Sequence, residues 1–294
     1  MNVILAGGTG LIGTHIAQRL KNGGHTVSIL SRKSGPGLIV WDAVGTGPWE
    51  QSIDGADAVI NLTGESVGAG RWTTGQKERI RNSRIDATRA IVDAIGRSAV
   101  KPRVLVNASA VGYYGHVEDG EVTENAPAGN DFLGQTCALW ESEARRAEQS
   151  GVRVVMVRTG FVIGKSSDAF IRMQRPFKLF AGGPFGSGRQ WFPWIHIDDV
   201  AAGYVFALEQ SALSGPVNLS APNPVRVREL AAELGRALHR PAFMSAPAFM
   251  LKILLGEMSD LLLKGQRVVP AKLLQQGFSF RFPVLSSALN NAVR

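Results

Sequence analysis

The sequence predicts an α/β fold, a doubly wound parallel sheet with a smaller C-terminal lobe. Three observations lead there. Short apolar runs rich in Val and Ile alternate with longer amphipathic stretches through the first half of the chain and beyond. The runs are apolar throughout rather than at every second residue, as strands covered on both faces require. Glycines cluster between the first run and the first helical stretch.

In chain order, "NVILA" is the first strand, and "GGTGLIG" leads into a helical stretch ending at about Leu20. "NGGH" supplies the stop signal, and "TVSILS" is the next strand. "ADAVINLTG" reads as a strand and "GQKERIRNSRIDATRAIVDAIG" as a long helix. After "KP" come the strand "RVLVNASA", a Gly/Tyr-rich loop, and a helix containing "FLGQTCALWE". "VRVVMVRTGFVIG" reads as one further continuous run. From about Ser166 the pattern loosens into the Gly/Pro/Trp-rich loop "AGGPFGSGRQWFPW". "HIDDVAAGYVFALEQ" is a helix with Asp198 the expected N-cap. Residues 1–220, including the 166–195 loop, are assigned to the main domain, and 221–294 to a small lobe rich in helix and Pro. Ligands of doubly wound sheets bind beyond the carboxyl ends of the strands, so the lobe is expected to close over that edge.

Composition narrows the functional classes. The chain has 294 residues, 45% hydrophobic and 19% charged, enough to bury a sizeable core. Its single Cys excludes an intrachain disulfide and a Cys-based zinc cluster, and no metal site is expected. No basic segment precedes a long apolar stretch at the N-terminus, and no uncharged run approaches bilayer-spanning length. A cytoplasmic protein without membrane contact is the expectation. The net charge of +8 is spread along the chain apart from short clusters such as "KERIRNSR". That distribution favours an anionic small ligand or a solvated surface over nucleic acid.

In "GGTGLIG", Gly7 permits a tight turn, Gly10 a close approach of backbone to a pyrophosphate, and Gly13 close packing of helix on strand. The amides from Thr9 through Leu11, Ile12 and Gly13 stand at a helix N-terminus, where free N–H groups and the helix dipole favour phosphate. The strand–turn–helix–strand context makes this a Rossmann dinucleotide site. The second strand ends in "LSRK", where an NAD site would carry an acid for the ribose 2′-hydroxyl. Ser31, Arg32 and Lys33 are suited instead to a 2′-phosphate, Arg32 through its guanidinium fork, and the expected cofactor is NADP.

With "ADAVINLTGE", "SAVGYYG", "GGPFGSGRQWFPWIHIDDV" and "PAKLLQQGF", the glycine loop makes the chain resemble an atypical extended short-chain dehydrogenase/reductase. More narrowly it resembles the epimerase-family, nucleoside-diphosphate-sugar-epimerase-like proteins that end in a small domain of unknown function. The resemblance covers essentially the whole chain. It implies that Asp42 in "VWDA" contacts adenine, that Leu62, Thr63 and Gly64 form a backbone turn near the cofactor, and that a homodimer is possible.

It also implies a Tyr and a Lys four residues apart on one helix, the phenol moving a proton while nicotinamide exchanges hydride. Anchoring on Glu141 puts those positions at Leu133 and Cys137; a register one residue earlier gives Phe132 and Thr136. Neither register supplies the pair. The chain has three tyrosines, with Tyr204 inside a helix, so Tyr114 is the candidate proton donor and Tyr113 a candidate substrate contact. Packing remains the competing role for both. The position of the usual catalytic hydroxyl falls on Ser109 or, one residue on, Ala110. An Arg that binds diphosphate in sugar-nucleotide enzymes is replaced by Phe192, with Arg189 three residues earlier. Trp191, Phe192 and Trp194 point to an apolar or planar small-molecule substrate, and Glu65 is a further candidate contact. His196 is open to two readings, an acid/base near neutrality or a buried His bonded locally; no catalytic partner is identifiable for it. An NADP-dependent reductase or epimerase with a non-standard acid, and a non-catalytic NADP(H) sensor, both remain open.

Overall fold

The computed structural model describes residues 1–293. At its centre is a parallel seven-stranded sheet in which β1 (Asn2–Ala6) lies between β2 (Thr26–Ser31) and β4 (Ala58–Asn61). β3 (Leu38–Val40) adds to β2; β5 (Val104–Ala110), β7 (Arg153–Thr159) and β11 (Gly215–Leu219) extend the other side. The order reverses at β1, which places a ligand crevice at the carboxyl ends of β1 and β4. On one face, α1 (Leu11–Asn22) and α5 (Ile197–Glu209) bury Ile16, Leu20, Val200 and Tyr204 against Val3, Leu5 and Val157. On the other, α2 (Thr74–Arg97) and α3 (Phe132–Arg145) cover Ile4, Val59 and Met156. Covering both faces explains why the strands read as unbroken apolar runs.

Several boundaries differ from the expectation, each for a local reason. The run "VRVVMVRTGFVIG" is two strands, because β8 (Phe161–Ile163) leaves the main sheet at Gly160 and pairs with β10 (Trp194–His196). A Cβ on Gly160 would stand 2.8 Å from the Pro193 carbonyl oxygen, so the crossover needs glycine there. The helix α5 is capped by His196 and not by Asp198: the imidazole Nδ1 accepts the Asp198 N–H at 3.2 Å. The His ring also packs on Phe282, with centroids 3.9 Å apart, and burial lowers its pKa. It is a structural residue.

The second lobe draws on two parts of the chain. The first comprises β8, α4 (Asp168–Lys178), β9 (Trp191–Phe192) and β10. The second runs from β12 (Val225–Arg226) and α6 (Val227–Leu238) through α7 (Ala248–Leu255) and α8 (Asp260–Leu263). Between β5 and α3 lies the short β6 (Glu121–Val122), which pairs with β13 (Arg267–Val268); α9 (Ala271–Gln275) and α10 (Leu285–Val293) finish the chain. Phe170, Phe177 and Trp194 share one core with Leu230, Leu234, Phe282 and Leu289. The segment before residue 196 therefore packs as part of the lobe. Asp199, buried on α5, accepts the backbone N–H groups of Arg281 (2.7 Å) and Phe282 (2.9 Å) and fastens the C-terminal segment to the main domain.

Candidate functional site

The glycine loop satisfies the demands of a dinucleotide cradle. Gly7 has φ +77°, and a Cβ there would meet the Leu62 backbone at 3.0 Å. A Cβ on Gly13 would stand 2.5 Å from the Gly7 carbonyl oxygen, so only glycine lets α1 sit this close to the turn. The helix starts at Leu11 with Gly10 as its N-cap, no side-chain cap and no acid in its first turn. Its N-terminal N–H groups and dipole are thus left for an anion, with Thr9 exposed beside them. At the end of β2, Ser31 is buried and its hydroxyl accepts the Lys33 N–H at 3.1 Å. Arg32 and Lys33 are exposed there. Asp42 closes a turn by accepting N–H groups of Gly45 (2.9 Å) and Val44 (3.0 Å), which hold its carboxyl below the ordinary range.

The turn of Leu62, Thr63 and Gly64 is held by Asn61. Its side-chain oxygen accepts from the N–H and hydroxyl of Thr63, while its Nδ2 donates to Thr88 and Asn107. Above this turn and the carboxyl ends of β5 and β7 lies a cavity of about 1010 Å³. Ala110, Thr159 and Gly160 line its sheet side, and Trp191, Phe192, Leu251 and Leu255 line the lobe side. One wall is the face of α3: Phe132, Leu133, Thr136 and Cys137 all border the cavity. The positions of the missing phenol and amine therefore do face the space where a ligand would sit. Desolvation raises the Cys137 thiol to about 12, so it is a packed, protonated group and not a nucleophile.

The expected replacement for the phenol is not in this cavity. Tyr114 is 3% exposed; its hydroxyl donates to Asn218 Oδ1 at 2.6 Å and accepts from Arg158 Nη1 at 2.9 Å. Burial raises its pKa to about 12, against the opposing influence of Arg158. Tyr113 lies with its ring 3.4 Å from the Arg158 guanidinium carbon. Arg158 in turn makes a two-pronged pair with Glu141, both contacts at 2.8 Å. The Ser109 hydroxyl donates to the same carboxylate at 2.7 Å. Alternation along β5 turns Ser109 away and leaves Ala110 on the cavity, so the later register is the structural one. The assignments of Tyr114 and Ser109 to catalysis are accordingly corrected: both serve a buried polar network behind the site. Glu124, also buried, joins it by accepting the N–H groups of Asn218 and Lys272, each at 3.1 Å.

Of Glu65, Tyr113, Arg189 and Trp191, only Trp191 lines the cavity, its ring flanked by Arg226 and Arg267 at 4.2 and 5.1 Å; Phe192 lines it beside Trp191, and Trp194 does not. Glu65 turns toward α2, accepting from Gln76 at 2.8 Å and facing Arg79 at 3.5 Å. Arg189 is exposed, and its carbonyl oxygen accepts from Arg226. Glu65 is corrected, its carboxylate taken up by α2; Arg189 stands outside the cavity lining with its guanidinium in solvent.

The group that sequence reasoning missed is Arg84. It borders the cavity from α2, with its guanidinium carbon 5.2 Å from the Trp140 ring. A Cβ on Gly64 would stand 3.0 Å from that carbon. Nη1 donates to the Ile80 carbonyl at 2.7 Å, and the other guanidinium nitrogens have no hydrogen-bond partner among the described residues. Desolvation lowers its pKa, with Cys137 and Glu65 acting oppositely. The available signal was the cluster "KERIRNSR", whose helical spacing divides its cations between solvent and the sheet side.

Comparison with known proteins identifies the family. The family model "NAD dependent epimerase/dehydratase family" matches residues 3–219, and a "domain of unknown function (DUF1731)" matches 246–292. Epimerase family protein YfhF of Bacillus subtilis is 40% identical over 300 residues, covering 100% of this chain and 98% of that one. The chloroplastic SDR39U1 homolog of Arabidopsis thaliana is 40% identical over 302 residues, 98% of this chain and 86% of that one. The crystal structure of human epimerase family protein SDR39U1 with NADPH superposes with a TM-score of 0.91 at 36% identity, over 99% of both chains. The chain belongs to the NAD dependent epimerase/dehydratase family, with the DUF1731 domain at its C-terminal end.

Proposed function

We propose that the protein is an NADP(H)-dependent reductase of a small, largely apolar carbonyl compound. The observation that carries this reading is the cavity of about 1010 Å³ over the carboxyl edge of the sheet, walled chiefly by aromatic and aliphatic side chains, with Arg84 the half-buried, incompletely bonded cation among its charged lining residues. The glycine loop and the start of α1 fit a pyrophosphate, and Arg32 and Lys33 fit a 2′-phosphate. The human relative crystallised with NADPH supports that choice over NAD.

NADPH, when bound, supplies a hydride. The chain's own contribution is exclusion of water and placement of one positive charge. Phe132, Leu133 and Cys137 present an apolar floor in place of a proton relay. Arg84 directs its remaining N–H groups at the negative charge that develops on a carbonyl oxygen. Such a donor is worth most in a low-dielectric, water-poor site. The proton that completes the reduction reaches the alkoxide from solvent as the product leaves the cavity, since the relay positions hold no group that exchanges protons with bulk water and the Cys137 thiol is buried.

The empty relay positions also favour a second reading, an NADP(H)-binding protein that performs no chemistry. Single-turnover transfer of deuterium from 4-deuterated NADPH separates the two. Incorporation into any member of a panel of apolar ketones, aldehydes and quinones supports the reductase. NADPH binding without transfer across that panel supports the sensor.

A further inference from the structure

The helix α7, "AFMLKILL", is apolar on two opposite faces. Leu251 and Leu255, one turn apart, line the cavity. On the other side Phe249, Met250, Ile253 and Leu254 form a stripe, with Phe249 65%, Ile253 70% and Leu254 64% exposed. A helix hydrophobic all round is ordinarily buried, and this one is covered on one side only. The apolar surface continues beyond it. Residues 180–186 run beside 243–246, joined by Met244 N–H to the Gly182 carbonyl and Ala246 N–H to the Pro184 carbonyl. The parallel pairing places exposed Leu179 and Phe180 near Arg240, and exposed Phe243 and Met244 follow along the same edge. Exposed apolar side chains concentrated on neighbouring segments in this way mark a docking face.

Charge identifies what it docks on. The two segments that build it carry Arg172, Arg175, Lys178, Arg236, Arg240 and Lys252, against three flanking carboxylates, Asp168, Glu233 and Glu257, of which Glu233 pairs with Arg236 and Glu257 with Lys77. All six cations are exposed. Apart from Arg236, they have no carboxylate partner among the described residues. Arg240 lies over the Phe180 ring at 4.7 Å, so cation and apolar group are interleaved on one surface. A second copy of the chain meeting this face across a two-fold axis would oppose cation to cation. An anionic bilayer satisfies both features: aromatic and aliphatic side chains enter the acyl boundary while Lys and Arg stay at the headgroups.

We infer that α7 and the adjoining Phe180–Phe243 edge dock the protein on an anionic membrane surface. This departs from the expectation of no membrane contact, which rested on the lack of a spanning segment; docking needs none. The helix that touches the bilayer also walls the cavity, so an apolar ligand dissolved in the membrane would meet the lobe at its entry side.

The test is co-sedimentation of the full chain, saturated with NADPH, with phosphatidylcholine vesicles and with vesicles about a third phosphatidylglycerol. Binding to the anionic vesicles is expected, at least about tenfold tighter than to phosphatidylcholine, and weakened by salt. Ile253→Ser with Leu254→Ser should lower it by roughly tenfold or more, as loss of two inserted aliphatic side chains predicts. Lys178→Glu with Arg240→Glu should lower it by at least about fivefold. All four side chains are exposed, and the melting temperature and NADPH affinity of each variant should match the wild type. Protein remaining in the supernatant with anionic vesicles overturns the proposal. So does a dimer by light scattering that the serine variant dissociates, because a second copy then covers the face.

Discussion

Replacing Tyr114 by Phe discriminates between a phenol that moves a proton and one that holds the fold. The hydroxyl makes two hydrogen bonds, to Asn218 at 2.6 Å and from Arg158 at 2.9 Å. Arg158 Nη1 keeps the Glu124 carbonyl at 3.1 Å and loses little. Asn218 Oδ1 has no other donor among the described residues, so it becomes a buried, unsatisfied acceptor. One lost neutral hydrogen bond, about 1 kcal/mol, plus about 1–2 kcal/mol for that acceptor, gives roughly 2–3 kcal/mol of destabilisation. For a chain of this size the melting temperature should fall by about 3–5 °C. Circular-dichroism melts of both proteins measure this, alongside NADPH affinity by fluorescence and single-turnover deuterium transfer. Affinity and transfer per folded molecule should stay within about twofold, because the hydroxyl does not face the cavity. An unchanged melting temperature with transfer reduced about 100-fold or more, the signature of a lost general acid, would refute the argument.

Further expectations concern the cofactor, the cation and the thiol. Arg32→Ala should weaken NADPH binding by roughly 10- to 100-fold, the worth of charge-assisted hydrogen bonds to a phosphate, and leave NADH affinity alone. Equal weakening of both by calorimetry would remove Arg32 from the 2′-phosphate. Arg84→Met keeps much of the packing and removes the charge; deuterium transfer should fall about 100-fold with little change in melting temperature. An unchanged transfer rate would discard Arg84 as the oxyanion partner. Stability should decline on the alkaline side. The Cys137 pKa is raised from 9.0 to about 12 and that of Tyr114 from 10.0 to about 12, both chiefly by desolvation. The unfolded chain therefore releases these protons first, and stability present below pH 9 is lost as pH rises toward 12. Urea midpoints should drop above pH 9 in the wild type, and Cys137→Ala should move the onset toward pH 10; a midpoint flat over that interval contradicts the assigned burial.

What could be read along the chain was what depends on neighbours in sequence. The glycine loop is one: Gly7 and Gly13 meet within a single turn, so their spacing already contains the contact that excludes a Cβ. The vacated face of α3 is another, because positions four apart share a side of any helix and Leu133 and Cys137 do line the cavity. The errors at Tyr114 and Ser109 involve partners brought from far along the chain. Nothing near Tyr114 announces Asn218, 104 residues away, and nothing near Ser109 announces Glu141. Each is a polar group on a buried element, and such a group is taken up by whatever donor or acceptor the topology brings to it. Arg84 is the converse case. It lies in a helix segment rich in cations, where helical spacing separates it from solvent-facing Arg81 and Arg89 but only the tertiary packing shows that it borders a cavity. Its significance depends on the residues that look like losses. A Lys at position 137 would place a second cation near the guanidinium and draw water to both. Leucine and a protonated cysteine leave the Arg84 charge in an apolar wall, where a single charge acts most strongly on a ligand oxygen. The absence of the pair from α3 thus alters what the neighbouring helix α2 can do.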